Sequence, residues 1–310
     1  MSLDATPLEH LLAVLHLEEV GASQVSLAPG VAGGEGYTSD TTVFVGRSQV
    51  MPHGRVFGGQ VLAQGLMACG LTIAPEPDGS SRAPHSLHGY FMRPGDDKAD
   101  IHFVVERLRD GRSFSTRRVH AVQHGAPILT LASSFQRPAP GLDHQDVMPD
   151  VAGPAGLTPL ADLYAGIDHP GARHIAEARP IEHRHVERDL YAAPAGDRVA
   201  AQHVWMRAVG RLPDDPLLHA AVLAYASDYS LLHPVLRRHG LAMTDRALRI
   251  ASLDHAMWFH RPARADEWLL YAEQSPSAQG GRGLGIGRMF TQEGRLVATV
   301  AQEGMVRLKE

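Results

Sequence analysis

The fold is decided by the stretch FGGQVLAQGLMACGLTI, residues 57–73, where almost every position is apolar or small. The spacing predicts a helix, and a helix that is apolar all round is usually buried on every side. Its glycines and alanines would let neighbouring backbone approach closely, and Cys69 reads as a small core residue. We therefore expect a central helix that other elements surround.

Strand-like runs follow this helix, and turns separate them. The Asp-Gly and His-Gly turns are typical of hairpins, so the sheet is predicted to be antiparallel. The runs cover residues 86–93, 101–108, 114–123 and 128–136, and a further strand at 41–47 precedes the helix. A capping box at Thr6 predicts an amphipathic helix to about Val20, and the polar residues 21–40 are predicted to be loop or short strand.

The second half of the chain repeats this order. Asp215 and Pro216 predict the start of another apolar helix at 217–226. Strand-like runs accompany it at residues 181–189, 202–209, 248–261, 267–275, 283–291 and 296–307. Phe-Met-Arg-Pro at 91–94 matches Phe-His-Arg-Pro at 259–262, an offset of 168, and Gln-His-Gly at 123–125 matches Gln-Glu-Gly at 292–294, an offset of 169. A period this long indicates a duplicated domain.

Each repeat is thus predicted to be an α+β unit in which an antiparallel sheet wraps one long helix. The two sheets could join edge to edge, which would remove exposed edges. Seven prolines and no sustained strand pattern mark the stretch between residues 137 and 180. We place a Pro-rich linker at 138–180, between an N-terminal domain at 1–137 and a C-terminal domain at 181–310.

Composition limits the cellular compartment and the binding partners that we expect for this protein. The formal net charge of −5 argues against nucleic acid or an anionic membrane as the main partner. The single cysteine excludes an intrachain disulfide and suits a reducing compartment. No apolar run approaches the roughly 18 residues that a membrane helix needs, and no signal-peptide pattern begins the sequence. The expectation is a cytoplasmic protein.

The last strand, RLVATVAQEGMVR at residues 295–307, carries an amide on its apolar face. Side chains alternate along a strand, so Leu296, Ala298, Val300 and Gln302 share one face, which is predicted to point into the core. An unpaired buried amide costs about 1–3 kcal/mol. Gln302 therefore either pairs with backbone or belongs to a polar site.

Two further polar residues stand in apolar surroundings in the second half. Asp228 follows the apolar helix and is either the N-cap of a short helix at 229–238 or part of a site. Ser252 lies in a predicted strand, but alternation does not decide whether its side chain points into the core. His88 and His255 lie near corresponding strands, and either is a candidate catalytic base.

The remaining motifs concern a possible metal site, a possible oxyanion site and a packing surface. His183-Arg-His185 and His85-x-x-His88 lack the accompanying ligands of a familiar metal site, so no metal is predicted. Gly58-Gly59 opens the first buried helix, where free N–H groups could bind an oxyanion or where glycine merely permits tight packing. Alternate glycines at 281, 283, 285 and 287 leave one strand face bare, so another element is expected to pack closely there.

Taken together, these segments resemble the type II acyl-CoA thioesterases, which have a double-hotdog fold. The resemblance rests on Arg55-Val-Phe-Gly-Gly-Gln-Val61, His85-Ser-Leu-His-Gly-Tyr-Phe-Met-Arg-Pro-Gly95, Leu108-Arg-Asp-Gly-Arg-Ser-Phe-Ser115, Ala226-Ser-Asp228, Leu253-Asp-His-Ala-Met-Trp-Phe-His-Arg-Pro262, Glu267-Trp-Leu-Leu-Tyr271 and Val300-Ala-Gln-Glu-Gly304.

The resemblance implies an enzyme that hydrolyses fatty acyl-CoA to free fatty acid and CoA by direct water attack on the thioester. It implies Asp228, Ser252 and Gln302 as catalytic residues, with Ser252 at a position that is often Thr, and Gly59 as an oxyanion donor. No metal or redox cofactor is needed, and association into a homo-oligomer, a dimer or a tetramer, is expected. Motif position makes Arg55 and Arg93 candidates to hold the CoA phosphates.

The duplication adds one expectation. The offset of 169 places Ser133 opposite Gln302, so the first half lacks its own glutamine and the chain is expected to carry one functional site. Two other functions stay open at this point. One is a hotdog hydratase or dehydratase that uses His88 or His255 with a carboxylate, and the other is a non-catalytic acyl-CoA-binding protein.

Overall fold

A computed structural model describes residues 5–26, 38–76, 81–191, 193–194 and 196–309. Within these ranges the helices are α1 Pro7–Leu15, α2 Gly58–Leu71, α3 Leu160–Tyr164, α4 Pro170–Arg173, α5 Pro216–Ser227 and α6 His233–His239. The strands are β1 Glu18–Ser26, β2 Thr38–Gly46, β3 Ala83–Phe91, β4 Ile101–Asp110, β5 Phe114–Gln123, β6 Ala126–Gln136, β7 Ile181–His185, β8 Ala201–Ala208, β9 Leu248–Ser252, β10 Asp254–Phe259, β11 Leu269–Gln279, β12 Arg282–Thr291 and β13 Leu296–Leu308.

The strands form one continuous sheet in the order β1-β2-β4-β5-β6-β3-β10-β13-β12-β11-β8-β7, and β9 also pairs with β13. The first six strands and the last six have matching orders, read from the two outer edges inward. All of the pairs are antiparallel, and the halves meet where Met257 of β10 lies opposite Leu87 of β3. The predicted duplication and the edge-to-edge join of the two sheets are therefore confirmed.

The two long helices pack against each other inside the sheet. Every residue of α2 from Gly59 to Cys69 is buried, which confirms the central helix predicted from the sequence. The helices approach closely because a Cβ atom at Gly59 would overlap the backbone oxygen of Tyr225 in α5. The two halves of the chain are therefore in direct contact at Gly59, near the start of α2.

The last strand contains an irregularity that alternation did not predict. The pairing of β13 with β12 shifts between Ala298 and Leu296. This bulge turns Val297 into the main core beside Ala298 and Val300, whereas Leu296 packs on the opposite face. The predicted inward set was wrong at Leu296 and right at Gln302, which is 1% exposed.

Two predicted boundaries also differ. Helix α1 ends at Leu15 rather than near Val20, because His16 is extended and β1 begins at Glu18. Strand β1 covers the start of the segment 21–40, and residues 27–37 lie outside the described ranges. The run 248–261 forms two strands rather than one, and the break falls at Leu253.

The linker lies along the outer face of the second half. Its residues Met148, Val151 and Leu157 pack beside Trp205, whose indole Nε1 donates to the oxygen of Ala152 at 2.8 Å. The linker also contains the short helices α3 and α4, and α4 continues into a π-helical turn at His174–Ala178. The domain division at residues 137 and 180 stays a prediction. None of the helices in the described ranges is long and apolar enough to cross a membrane.

Candidate active site

Asp228, Ser252 and Gln302 converge at one point, although 74 residues separate the first from the last. Gln302 Nε2 donates to Asp228 Oδ1 at 2.8 Å and to Ser252 Oγ at 2.5 Å. The Ser252 hydroxyl lies 3.2 Å from the same Asp228 oxygen and donates to it. All three side chains predicted to be catalytic therefore belong to one hydrogen-bonded group.

Asp228 does not cap the following helix, so that prediction was wrong. It ends α5 with φ −90° and ψ −1°, and α6 starts only at His233, after the N-cap Leu232. Its carboxylate instead faces the first half of the chain. A Cβ atom at Gly58 would lie 2.5 Å from Asp228 Oδ2, so the start of α2 fits closely against this oxygen.

The electrostatic state of Asp228 follows from opposing effects. Burial raises the pKa of its carboxyl to about 6, while hydrogen bonds from Gln302, Ser252 and the Gly59 backbone N–H pull the pKa down. Asp228 nevertheless remains partly exposed. A carboxylate with a pKa near neutrality can act as a general base under physiological conditions.

Ser252 points towards Asp228 because of the strand break that the sequence did not reveal. It lies opposite Gly304 of β13, on the face that also carries Gln302 two residues away. Leu253 lies between β9 and β10 and bonds to two different strands. Its N–H donates to the backbone oxygen of Glu303 in β13, and its oxygen accepts from the backbone N–H of Phe91 in β3, both at 2.9 Å. The break thus lets β9 stop at the site while β10 continues into the join with β3.

The amide of Gln302 is fully paired. Its NH₂ group donates to Asp228 and Ser252, and its oxygen lies 3.0 Å from His255 Nδ1. The other ring nitrogen of His255 lies 2.9 Å from Ser227 Oγ. The buried amide is therefore held by side chains of the site rather than by backbone, which answers the question that its inward facing raised.

A buried carboxyl behind the site was missed from the sequence. Glu273 in β11 is 2% exposed, and it accepts hydrogen bonds from Ser230 Oγ at 2.7 Å and from Gln202 Nε2 at 2.5 Å. Burial raises its pKa to about 8. Because Ser230 follows Asp228 by two residues, Glu273 anchors the segment that carries Asp228. The alternation used for Gln302 would have found it, since Leu269, Tyr271 and Glu273 share a face.

The equivalent place in the first half carries different residues. Thr72 ends α2 with φ −90° and ψ 0°, the conformation of Asp228 at the end of α5. Pro84 lies opposite Phe135 as Ser252 lies opposite Gly304. Ser133 lies opposite Arg117 as Gln302 lies opposite Gly285.

Arg117 occupies the interior of this first-half place. It is 1% exposed, its Nε donates to Thr72 Oγ1 at 2.8 Å, and its Nη2 pairs with Asp110 at 2.9 Å. A guanidinium therefore stands where the second half has the bare Gly285. The first half holds neither an acidic group in the position of Asp228 nor an amide in the position of Gln302.

Other candidates lie apart from this group. His88 is exposed and packs edge-on against Trp258. Arg55 and Arg93 are both exposed, and Arg93 Nη1 donates to the oxygen of Pro127 at 2.9 Å. Among the described residues no three His, Cys, Asp or Glu side chains are grouped to hold a metal ion.

The alternate glycines of β12 do have a close neighbour. A Cβ atom at Gly283 would press on Val235, and one at Gly285 would overlap the backbone oxygen of Leu231. The segment from Asp228 to α6 therefore lies directly on the bare strand face, as expected from the glycine pattern. This packing fixes the chain immediately after Asp228.

A large cavity in the described part of the chain does not contain Asp228. Its volume is about 1320 Å³, and its lining includes Pro84, Pro216 and His219, at the opposite end of α5. Pro84 belongs to the first-half place that lacks the catalytic residue types. Hydrogen bonding and burial, rather than cavity size, therefore identify the site around Asp228.

The fold and this polar group together define a double-hotdog thioesterase. An acyl-CoA thioesterase family model matches residues 175–305, and an acyl-CoA thioesterase N-terminal domain model matches residues 47–136. Acyl-CoA thioesterase 2 of Haemophilus influenzae is 38% identical over 87% of this chain and 94% of its own length. Human acyl-coenzyme A thioesterase 8 is 38% identical over 87% of this chain and 86% of its own length.

A solved structure agrees with these sequence relatives. The acyl-CoA thioesterase II TesB2 of Mycobacterium marinum superposes with a TM-score of 0.70 at 44% identity, over 86% of this chain and 94% of that one. The chain belongs to the acyl-CoA thioesterase family. The family, the double-hotdog fold and the class of acyl-CoA thioester hydrolase predicted from the sequence are confirmed.

Proposed function

We propose that this protein hydrolyses fatty acyl-CoA to free fatty acid and CoA, with Asp228 as the general base. The observation that carries the proposal is the partly exposed carboxylate of Asp228, held by Gln302 and Ser252, with a pKa of about 6. A thioester carbonyl has little resonance stabilisation, so an activated water can attack it directly. A well-placed base contributes about 10²–10⁴ to the rate of such a step.

Each residue of the polar group has a distinct role in the proposed reaction. Asp228 takes a proton from the attacking water, whose oxygen forms the new bond to the thioester carbon. Ser252 and Gln302 orient the water and hold the carboxylate by their hydrogen bonds to Oδ1. Collapse of the tetrahedral intermediate breaks the carbon–sulfur bond, and CoA leaves as the thiol after it receives the proton.

The start of α2 supplies the positive end of a helix dipole at this point. The Gly59 N–H already faces the Asp228 carboxylate and lowers its pKa. With substrate bound, we expect this N–H to stabilise the oxyanion of the tetrahedral intermediate, and one such donor is worth about 10²–10³ in rate. Glycine at 58 and 59 lets the start of α2 approach the Asp228 carboxylate and the Tyr225 backbone this closely.

An aromatic cluster beside the site supports an apolar acyl chain as the substrate group. The Phe57 ring stacks on Tyr229 with centroids 4.7 Å apart, and Tyr225 meets Phe57 edge-on at 5.1 Å. Phe57 precedes Gly58, and Tyr229 follows Asp228, so these rings flank the reacting groups. They offer an apolar surface next to the base.

The hydratase alternative finds less support in the geometry. That chemistry would need a histidine open to the substrate beside a carboxylate. His88 is exposed but packs against Trp258, and His255 is 1% exposed with both ring nitrogens engaged. A non-catalytic acyl-CoA-binding role is disfavoured because the complete polar group is present around Asp228.

The cellular compartment and the oligomeric state are proposed from composition and from family resemblance. The net charge of −5 and the lone cysteine support a cytoplasmic enzyme of fatty acid and lipid metabolism that has neither nucleic acid nor membrane as a partner. Family resemblance supports a homo-oligomer, either a dimer or a tetramer. Sedimentation analysis of the purified chain tests the oligomeric state.

Release of the CoA thiol from straight-chain acyl-CoAs, from short to long, tests the proposed function. Asp228→Asn keeps the shape and the hydrogen-bond acceptor but removes the base, so kcat should fall by about 10²–10⁴. Asp245→Asn is the matched control, because Asp245 is an exposed carboxylate outside the site. A folded Asp228→Asn protein with normal hydrolysis would refute the proposal.

A further inference from the structure

The amide of Gln302 has two unlike ends, and the site requires one orientation. An ionised carboxylate can only accept hydrogen bonds, so the NH₂ end must face Asp228. In that orientation Nε2 reaches Asp228 at 2.8 Å and Ser252 at 2.5 Å. The amide oxygen then points away from the site, where it needs a donor.

His255 meets that oxygen. Its Nδ1 lies 3.0 Å from Gln302 Oε1, its Nε2 lies 2.9 Å from Ser227 Oγ, and the residue is 1% exposed. Burial lowers the pKa of His255 to about 4, so the ring carries one proton at neutral pH. Because Gln302 Oε1 can only accept, that proton must be on Nδ1. The Ser227 hydroxyl, which also lies 2.8 Å from the oxygen of Ala224, must then turn its single hydrogen to His255 Nε2.

The opposite tautomer would disturb the base. A proton on Nε2 would leave the Nδ1 lone pair facing the amide oxygen across 3.0 Å. Rotation of the amide would relieve that repulsion but would present Oε1 to the Asp228 carboxylate. Asp228 would then lose a donor, and its pKa would rise further.

We propose that His255 is a positioning residue for the thioester hydrolysis put forward above. Its Nδ1–H tautomer holds the Gln302 amide with the NH₂ group towards Asp228. His255 itself touches neither the water nor the substrate. It acts through Gln302, so the inference rests on the proposed function for its catalytic consequence and on geometry alone for the tautomer.

A matched pair of substitutions separates this role from simple core packing. His255→Asn places an amide N–H where Nδ1 stands, whereas His255→Gln places its amide nearer to Nε2 and Ser227. We expect His255→Asn to retain kcat within about fivefold and His255→Gln to lower it by about 10–100-fold, as for other residues that orient a reacting group from behind. KM should stay nearly constant in both, and the acid limb of the pH profile should move to higher pH in His255→Gln.

Equal losses in the two variants, or an unmoved acid limb in His255→Gln, would overturn the inference. Nitrogen NMR of the wild-type imidazoles gives a readout that needs no turnover, with the His255 signal assigned by its absence from His255→Asn. Protonation at Nδ1 is expected, and protonation at Nε2 would overturn the inference even in an active hydrolase. An Nδ1–H tautomer in a protein without thioesterase activity would support the placement of the amide and refute the proposed function instead.

Discussion

Burial and hydrogen bonding act in opposite directions on the pKa of Asp228, the proposed base. Burial alone would push its pKa higher still, and a carboxyl that stayed protonated at neutral pH could not accept a proton from water. The donors from Gln302, Ser252 and the Gly59 N–H bring the pKa back to about 6. The three hydrogen bonds therefore keep the group ionised as well as oriented.

The pH dependence of hydrolysis tests this balance. Only the ionised form of Asp228 can act, so kcat/KM should rise with pH through about 6 and level off above it. In Ser252→Ala the carboxylate loses a donor, its ionised form is less stabilised, and the rise should move to higher pH. Steady-state rates between about pH 4.5 and 8.5 measure both curves. A wild-type profile that stays flat down to the lower limit would contradict the assignment of the base.

At the scale of the elements, the site forms where the end of α5 meets the start of α2. Neither helix could hold the reacting groups alone, because Asp228 comes from the second half and Gly58 from the first. The N-terminus of α2 favours negative charge nearby, which suits both a carboxylate and an oxyanion. The close approach depends on glycine having no side chain at this position.

Gly58→Ala should therefore damage the site without damaging the fold. The new methyl would lie 2.5 Å from Asp228 Oδ2 and 3.2 Å from the Phe91 ring, so the carboxylate must move. Misplacement by about an ångström can cost about 10²-fold in rate, and we expect a loss of that order in kcat.

Gly65→Ala is the control within the same helix. A methyl there meets only side-chain carbons, the nearest at 3.4 Å, so activity should be kept. The melting temperature should be equal or higher, because alanine favours a helix over glycine by about 0.8–1 kcal/mol. Thiol release and thermal melts compare the two variants, and equal activity in both would count against the close fit at Gly58.

The elements also show what the sequence could and could not reveal about the site. The alternation of side chains along a strand was enough to predict that Gln302 points inward, because it depends only on neighbouring residues. It failed at Leu296, where a bulge changes the register, and it left Ser252 undecided because the break at Leu253 depends on pairing with Phe91 and Glu303. The meeting of Asp228 with Gln302 is a tertiary contact that no local pattern contains, and only family resemblance joined them beforehand.

At the scale of the whole molecule, duplication predicted the architecture well. Matching offsets and the order of helix and strands were sufficient for two equivalent half-sheets, because each half must bury one apolar helix. The same duplication makes the difference between the halves informative. Thr72, Pro84 and Ser133 occupy the positions of Asp228, Ser252 and Gln302, and Arg117 fills the space between them.

The fold thus presents two equivalent places, and one of them holds the three side chains that we propose for hydrolysis. Gln302→Ala should lower kcat by about 10²-fold or more, because Asp228 loses both a donor and its orientation. Ser133→Ala makes a smaller change at the equivalent place, and it should leave kcat unchanged, since Ser133 touches no group of the site around Asp228. A comparable fall in kcat for Ser133→Ala would mean that both halves contribute to turnover. Thiol-release rates of the two variants, compared at equal folded fraction, decide between one active site in each chain and two.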